Sequence, residues 1–149
     1  MEFISIQQLK SLSEKISKKA KAGDTIYLYG EIGSGKTTFS RFFIHSIQKK
    51  FKAKRVEVVS PTYTIVQYYS VNKNLNIAHY DLYRIKKVKE LENIGIIDQE
   101  YLFLNIIEWP DLIKNKNKNK NRIEISLKHT TNVNLRKANV KYFGRFKKK

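Results

Sequence analysis

Residues 25–47 read "TIYLYGEIGSGKTTFSRFFIHSI". "TIYLY" has the make-up of a short buried strand, and "KTTFSRFFIHSI" at 36–47 that of a helix. Between them Gly30–Thr37, "GEIGSGKT", fills every position of the pattern G-x-x-x-x-G-K-[ST]. The glycines let such a loop curl until several backbone N–H groups converge on phosphate oxygens. The helix that follows adds its own free N–H groups and the positive end of its dipole. On this reading Glu31, Ile32, Gly33, Ser34 and Gly35 form the cradle and Lys36 reaches the β- and γ-phosphates. Thr37 offers its hydroxyl to Mg²⁺, and Thr38 stands next to the α-phosphate.

A phosphate loop of this kind needs a carboxylate at the end of a neighbouring strand to complete a metal site. Two acids fit. Asp81 follows "NIAHY" at 76–80, and Glu108 follows "LFLNII" at 102–107. One would hold magnesium and the other the attacking water, and the pattern leaves open which does which.

Outward from the loop, residues 5–21 predict an amphipathic helix. Ser5 and Gln8 match a capping box, Leu9, Leu12 and Ile16 share a stripe, and Gly23 is the expected stop. "VEVV" at 56–59 predicts a strand broken by Ser60–Pro61. "YTIVQYYSV" and "LNIAHY" around the turn "NKN" at 72–74 predict a hairpin. Residues 87–94 read as a helix ended by Gly95, and "YLFLNIIEW" as a buried strand closed by Pro110, with "DLIK" a short helix after it. The lysine–asparagine run at 114–121 is low complexity and reads as a solvated surface loop. "RIEISLK" and "VNLRKANVKYF" predict a final hairpin, and the basic tail 144–149 is expected to fray. There is no internal repeat. Helices interleaved with buried strands predict a single α/β domain over 1–149. The fold class is P-loop NTPase-type, three-layered, with a mainly parallel central sheet plus antiparallel hairpins.

The bulk properties agree. A chain of 149 residues with 41% hydrophobic content is long enough and apolar enough for one buried core. The absence of cysteine excludes a disulfide scaffold, a thiolate metal site and cysteine catalysis. "MEFISIQQLKSLSEK" holds no apolar core of signal-peptide length, and "LFLNII" is too short to cross a membrane, so a cytoplasmic protein without membrane contact is expected. The net charge of +17 invites a nucleic-acid reading. Yet 24 Lys stand against 6 Arg, beside 12 Asn and 18 Ile. These three abundant residues share A/T-rich codons, so composition is a second source of the charge, and base reading favours Arg.

Four motifs stand in order: "GEIGSGKTT", "SPTYTIVQYY" at 60–69, "HYDLYRI" at 79–85 and "IEWPDLI" at 107–113. In order and spacing the chain resembles the TsaE family (also called YjeE), small bacterial P-loop ATPases required for threonylcarbamoyladenosine modification of tRNA. The resemblance runs from the N-terminal helix to the final hairpin. Glu31 stands where Asp is usual, Ile32 for Leu, Ser34 for Ala and Tyr63 for Phe, and none of these removes a required chemical group. The lysine–asparagine run has no counterpart in the resemblance.

The resemblance implies hydrolysis of ATP with Mg²⁺, beside a threonylcarbamoyl transferase (TsaD-like) and its paralogue (TsaB-like). That pair moves the threonylcarbamoyl group onto an adenosine of tRNA, and tRNA is met through the complex. The ATPase subunit is not itself the transferase, and its cycle supports turnover of the complex. Carried over by motif, Asp81 resembles the metal-side acid and Glu108 the acid that positions water, although either could fill either role. Thr62 resembles a switch threonine that senses the γ-phosphate or its metal. Trp109 resembles a family-typical residue beside the site, packing near the nucleotide or a partner.

Plainer roles stand beside these. Tyr68 and Tyr69 suit ordinary strand aromatics, and Trp109 suits a core position. His79 suits either a structural hydrogen bond or a catalytic role. His45 and His129 are isolated, and Arg41 suits a solvated face. Arg84 suits a surface charge or a phosphate contact. Two other functions compete. A small-molecule or nucleoside kinase would share the phosphate loop but would need an arginine-rich lid, which six Arg do not supply. A basic RNA-binding module would bind RNA in a salt-steep manner without nucleotide, and no stacking-aromatic signature supports it.

Overall fold

The computed structural model describes residues 1–148. The chain runs β1 (Glu2–Ser5), α1 (Ile6–Ser17), β2 (Thr25–Tyr29), α2 (Lys36–Lys50), β3 (Val66–Asn72), β4 (Leu75–Asp81), α3 (Val88–Ile94), β5 (Leu104–Glu108), β6 (Arg122–His129) and β7 (Leu135–Tyr142). One seven-stranded sheet has the order β1-β7-β6-β2-β5-β4-β3. Its four central strands, β6, β2, β5 and β4, are parallel, and β1, β7 and β3 add antiparallel edges. This is the expected α/β fold.

Strand β2 shows why the sheet lies inside. Ile26 and Leu28 enter the core under α1 and α2, with Leu9, Ile16, Phe39, Phe43 and Ile44. Tyr27 points the other way, into a second core with Tyr80, Leu82, Leu91 and Ile107. A strand covered on both faces reads as an unbroken apolar run, which is the signature of a buried parallel strand. Among the described residues no helix is long and apolar enough to cross a membrane.

The predicted capping box is present. Ser5 Oγ accepts from the Gln8 N–H at 3.1 Å, and Gln8 Oε1 accepts from the Ser5 N–H at 2.8 Å. Other expectations need correction. Glu2–Ser5 form an edge strand on β7 that the sequence reading missed. Helix α1 ends at Ser17, before Gly23, because the Lys19 and Ala20 N–H groups both bond the Ile16 carbonyl and tighten the last turn. Gly23 instead turns the chain into β2, at φ +88°.

No strand forms at 56–59. Val58 is buried while Val56 and Val59 stay exposed, so one side chain is satisfied by packing and the backbone finds no ladder partner. Strand β3 starts at Val66 and not at Tyr63, because Ile65 takes a left-handed φ of +69° and bonds back to the Pro61 carbonyl. Residues 100–102 form a 3₁₀ turn and not the start of β5, and a second 3₁₀ turn covers Pro110–Leu112.

The lysine–asparagine run is not simply solvated. Asn119 is buried, and its Nδ2 donates to the Gly23 carbonyl at 2.6 Å and to Thr25 Oγ1 at 3.1 Å. The tail is docked as far as it is described. Arg145 donates to both carboxylate oxygens of Asp24, from Nε at 2.8 Å and from Nη2, and Phe146 packs on the core. Lys149 lies outside the described residues.

Candidate nucleotide site

The site lies where the parallel strands end. Strand β2 delivers the chain into the loop, and α2 begins at Lys36 with Gly35 as its N-cap. Two glycines are required there. Gly30 has φ +146°, and a Cβ on it would lie 2.4 Å from the Leu127 carbonyl oxygen. Gly35 has φ +110°, and a Cβ there would meet the guanidinium of Arg136 at 2.9 Å. Only glycine meets both the dihedral and the space.

Lys36 is 4% exposed. Its Nζ donates to the Gly30 carbonyl at 2.6 Å and the Glu31 carbonyl at 2.9 Å. The ammonium also stands 4.0 Å from the centre of the Trp109 ring. Burial pushes the Lys36 ammonium below the ordinary lysine range, against the opposing pull of Glu108 and Asp81.

The two acids have separate partners. Glu108, at the end of β5, accepts from Thr37 Oγ1 at 2.9 Å, Ser40 Oγ at 3.0 Å and His79 Nε2 at 2.8 Å. His79 is fully buried and its Nδ1 has no hydrogen-bond partner. A carboxylate oxygen accepts, so Nε2 is the donor of this pair. Asp81, at the end of β4, accepts from Thr62 Oγ1 at 2.8 Å and from the Tyr83 N–H at 2.9 Å. Ser60 and Thr62 are themselves 2.8 Å apart. The segment "SPTYTI" is tied to β4 through its backbone as well, since the Asp81 N–H donates to the Ile65 carbonyl at 2.9 Å.

Trp109 follows Glu108 in a left-handed conformation, φ +57°, which a bulky side chain rarely takes. The turn carries the indole across to Lys36 and to Tyr83, whose ring centre is 4.9 Å away. These groups enclose a cavity of about 300 Å³.

Most of the expected residues meet there. Ile32, Gly33, Gly35, Lys36, Thr37 and Thr38 line it from the loop, and Thr62, Asp81, Glu108 and Trp109 from the other strand ends. Glu31 and Ser34 do not: Glu31 is exposed and Ser34 is buried beneath the loop. Among the described residues Arg84 reaches the Tyr63 ring, at 5.4 Å, and does not line the cavity. Sequence reasoning missed Ser40 and Arg136. Ser40 lies one helical turn after Lys36, which is the signal that could have found it. Arg136 shares a strand phase with Ala138, which is buried, so it is an arginine at a core-facing position. It too had left His129 isolated, whereas His129 Nε2 lies 2.8 Å from the Ile32 carbonyl, against the loop.

Comparison with known proteins gives the family and the fold. The family described as "Threonylcarbamoyl adenosine biosynthesis protein TsaE" matches residues 3–138. The tRNA threonylcarbamoyladenosine biosynthesis protein TsaE of Rickettsia typhi is 34% identical over 126 residues, which covers 85% of this chain and 83% of that protein. The protein of the same name from Bacillus subtilis is 32% identical over 113 residues, covering 74% of this chain and 65% of that protein. The crystal structure of Bacillus subtilis YdiB superposes with a TM-score of 0.70 at 24% identity, covering 96% of this chain and 84% of that one, and supports the fold. The chain, with its phosphate loop and its two strand-end acids, belongs to the TsaE family.

Proposed function

We propose that this chain is an Mg²⁺-dependent ATPase of tRNA threonylcarbamoyladenosine biosynthesis, the process named in its relatives. The observation that carries the reading is the hydrogen bond from Thr37 to Glu108, 71 residues apart in sequence, beside a buried Lys36 bound to the loop carbonyls. A hydroxyl and a carboxylate so joined are the hard oxygen ligands magnesium takes, and it draws the remainder from phosphate and water.

The reading divides the acids by their partners. Thr37 and Glu108 would hold Mg²⁺, which when bound neutralises charge on the phosphates. Asp81 orders Thr62 and Ser60 at the opposite wall and orients the attacking water. This geometry favours the reverse of the split that the family resemblance suggested. In hydrolysis the water oxygen bonds to the γ-phosphorus, the bond to the β-phosphate oxygen breaks, and ADP, phosphate and a proton leave. Lys36 stabilises the charge on the transferring group. A threonylcarbamoyl transferase (TsaD-like) and its paralogue (TsaB-like) are the partners, with tRNA reached through them. P-loop ATPases of this type gain rate when a partner completes the site.

Phosphate release from ATP with Mg²⁺ tests this, first with the chain alone and then with the transferase pair and tRNA. Slow release that rises with the partners is expected. Equal rates with and without them overturn partner activation. Transfer of phosphate to a small acceptor, without free phosphate, overturns the ATPase reading in favour of a kinase.

A further inference from the structure

Arg136 is the charged group of the cavity that no motif contains. Its Nε and Nη1 are covered, and neither has a hydrogen-bond partner. No acid forms an ion pair with it among the described residues. The two acids of the cavity are already engaged elsewhere, Glu108 by Thr37, Ser40 and His79 and Asp81 by Thr62 and Tyr83. A half-buried guanidinium whose covered N–H donors have no partner is costly in a folded protein. Its cost is offset when an anion occupies the adjoining space.

The backbone holds this charge in place. Strand β7 is paired on both sides, with Arg136 opposite Ile4 of β1 and opposite His129 of β6. His129 in turn contacts the Ile32 carbonyl, so the turn end of the β6–β7 hairpin braces the phosphate loop. Arg136 itself lies against Gly35, at the point where α2 begins and where its free N–H groups face the cavity.

We propose that Arg136 is a nucleotide-binding residue, a second cation beside Lys36 that holds the phosphate chain at the start of α2. The assignment rests on the nucleotide reading above. A planar guanidinium can take a phosphate through two parallel N–H donors, which lysine cannot do. The absence of a side chain at Gly35 is then required twice, by the dihedral and by the approach of this arginine.

Calorimetric titration with ADP, without Mg²⁺, distinguishes the possibilities on the full chain and on Arg136→Gln and Arg136→Lys. Arg136→Gln is expected to weaken ADP about tenfold or more while the nucleotide-free melting temperature stays level or rises, since a partly covered charge without a partner has been removed. Arg136→Lys keeps the charge without the fork and is expected to fall between, and it decides the matter should the glutamine variant not fold. ADP affinity within about twofold of the parent in either folded variant overturns the proposal. A parent chain that binds no ADP overturns the nucleotide reading itself, and this assignment with it.

Discussion

Asp81 and Glu108 stand directly opposite each other at the ends of adjacent parallel strands, yet share no side-chain partner. Glu108 gathers Thr37, Ser40 and His79, whereas Asp81 gathers Thr62, Ser60 and the Tyr83 backbone. Sheet register brings the two acids together, and their partners separate their work. One is joined to the phosphate loop and the other to the "SPTYTI" segment, so they are expected to fail differently.

Glu108→Gln should abolish the Mg²⁺ dependence of nucleotide binding and lower hydrolysis by about 100-fold or more. Binding of ADP without Mg²⁺ should hardly change. Asp81→Asn should keep the Mg²⁺ response of binding and lose rate, because Thr62 loses its carboxylate acceptor. Titrations with and without Mg²⁺, beside phosphate release, separate the two. If Asp81→Asn loses the Mg²⁺ response and Glu108→Gln keeps it, the roles are exchanged.

His79 donates to Glu108 from a fully buried position and holds that carboxylate toward the loop. His79→Leu removes one of the two donors to Glu108 Oε1 and leaves Ser40 alone on it, and the loss of a hydrogen bond to a charged group costs about 1.5–3 kcal/mol. Urea unfolding should report that loss. The rate at saturating ATP should fall more than the affinity for ADP, since the side chain acts through Glu108. Restoration of rate by His79→Gln, which can donate again, would identify the hydrogen bond as the working feature. Loss of stability with full activity would assign His79 to packing alone.

Lys36 gives the site a pH dependence. Burial lowers its pKa from 10.5 in the nucleotide-free chain, and bound phosphate favours the charged form and raises it again. The nucleotide-bound state therefore holds more protons than the free state above the lowered pKa. Affinity for ADP should be level near neutrality and fall as pH climbs through the alkaline range, before the ordinary lysine value of 10.5 is reached. Calorimetry across that range checks the sign. Constant affinity up to the ordinary lysine value would mean that Lys36 is not at the phosphates.

What the sequence disclosed depended on how local the signal was. The phosphate loop lies in eight consecutive residues with its strand and helix attached, so Gly30–Thr37 could be read directly. Asp81 and Glu108 were legible because each ends an apolar run. The strand expected at 56–59 failed because its valines have no neighbour to pair with, and pairing is a tertiary fact. Arg136 lay hidden in an alternating strand, where only its phase beside Ala138 set it apart from surface charge. Asn119 was concealed by composition, since a lysine–asparagine repeat gives every asparagine the same local context.

That last residue carries a stability prediction. Asn119 Nδ2 serves the Gly23 carbonyl and Thr25 Oγ1, its Oδ1 accepts from the Asn121 N–H at 3.0 Å, and its own N–H donates to the Tyr27 hydroxyl. The repeat is thereby pinned beneath β2, the strand that feeds the phosphate loop. Asn119→Ala strips the Gly23 carbonyl, Thr25 Oγ1 and the Asn121 N–H of their side-chain partner while keeping the backbone donor to Tyr27, and should cost about 1–3 kcal/mol in urea unfolding. Asn117→Ala, in the same repeat, should stay within about 0.5 kcal/mol of the parent. Equal effects of the two changes would show that the repeat is a solvated loop after all. A large loss at 119 alone would show that one asparagine fixes the run in place, while its neighbours remain free to vary.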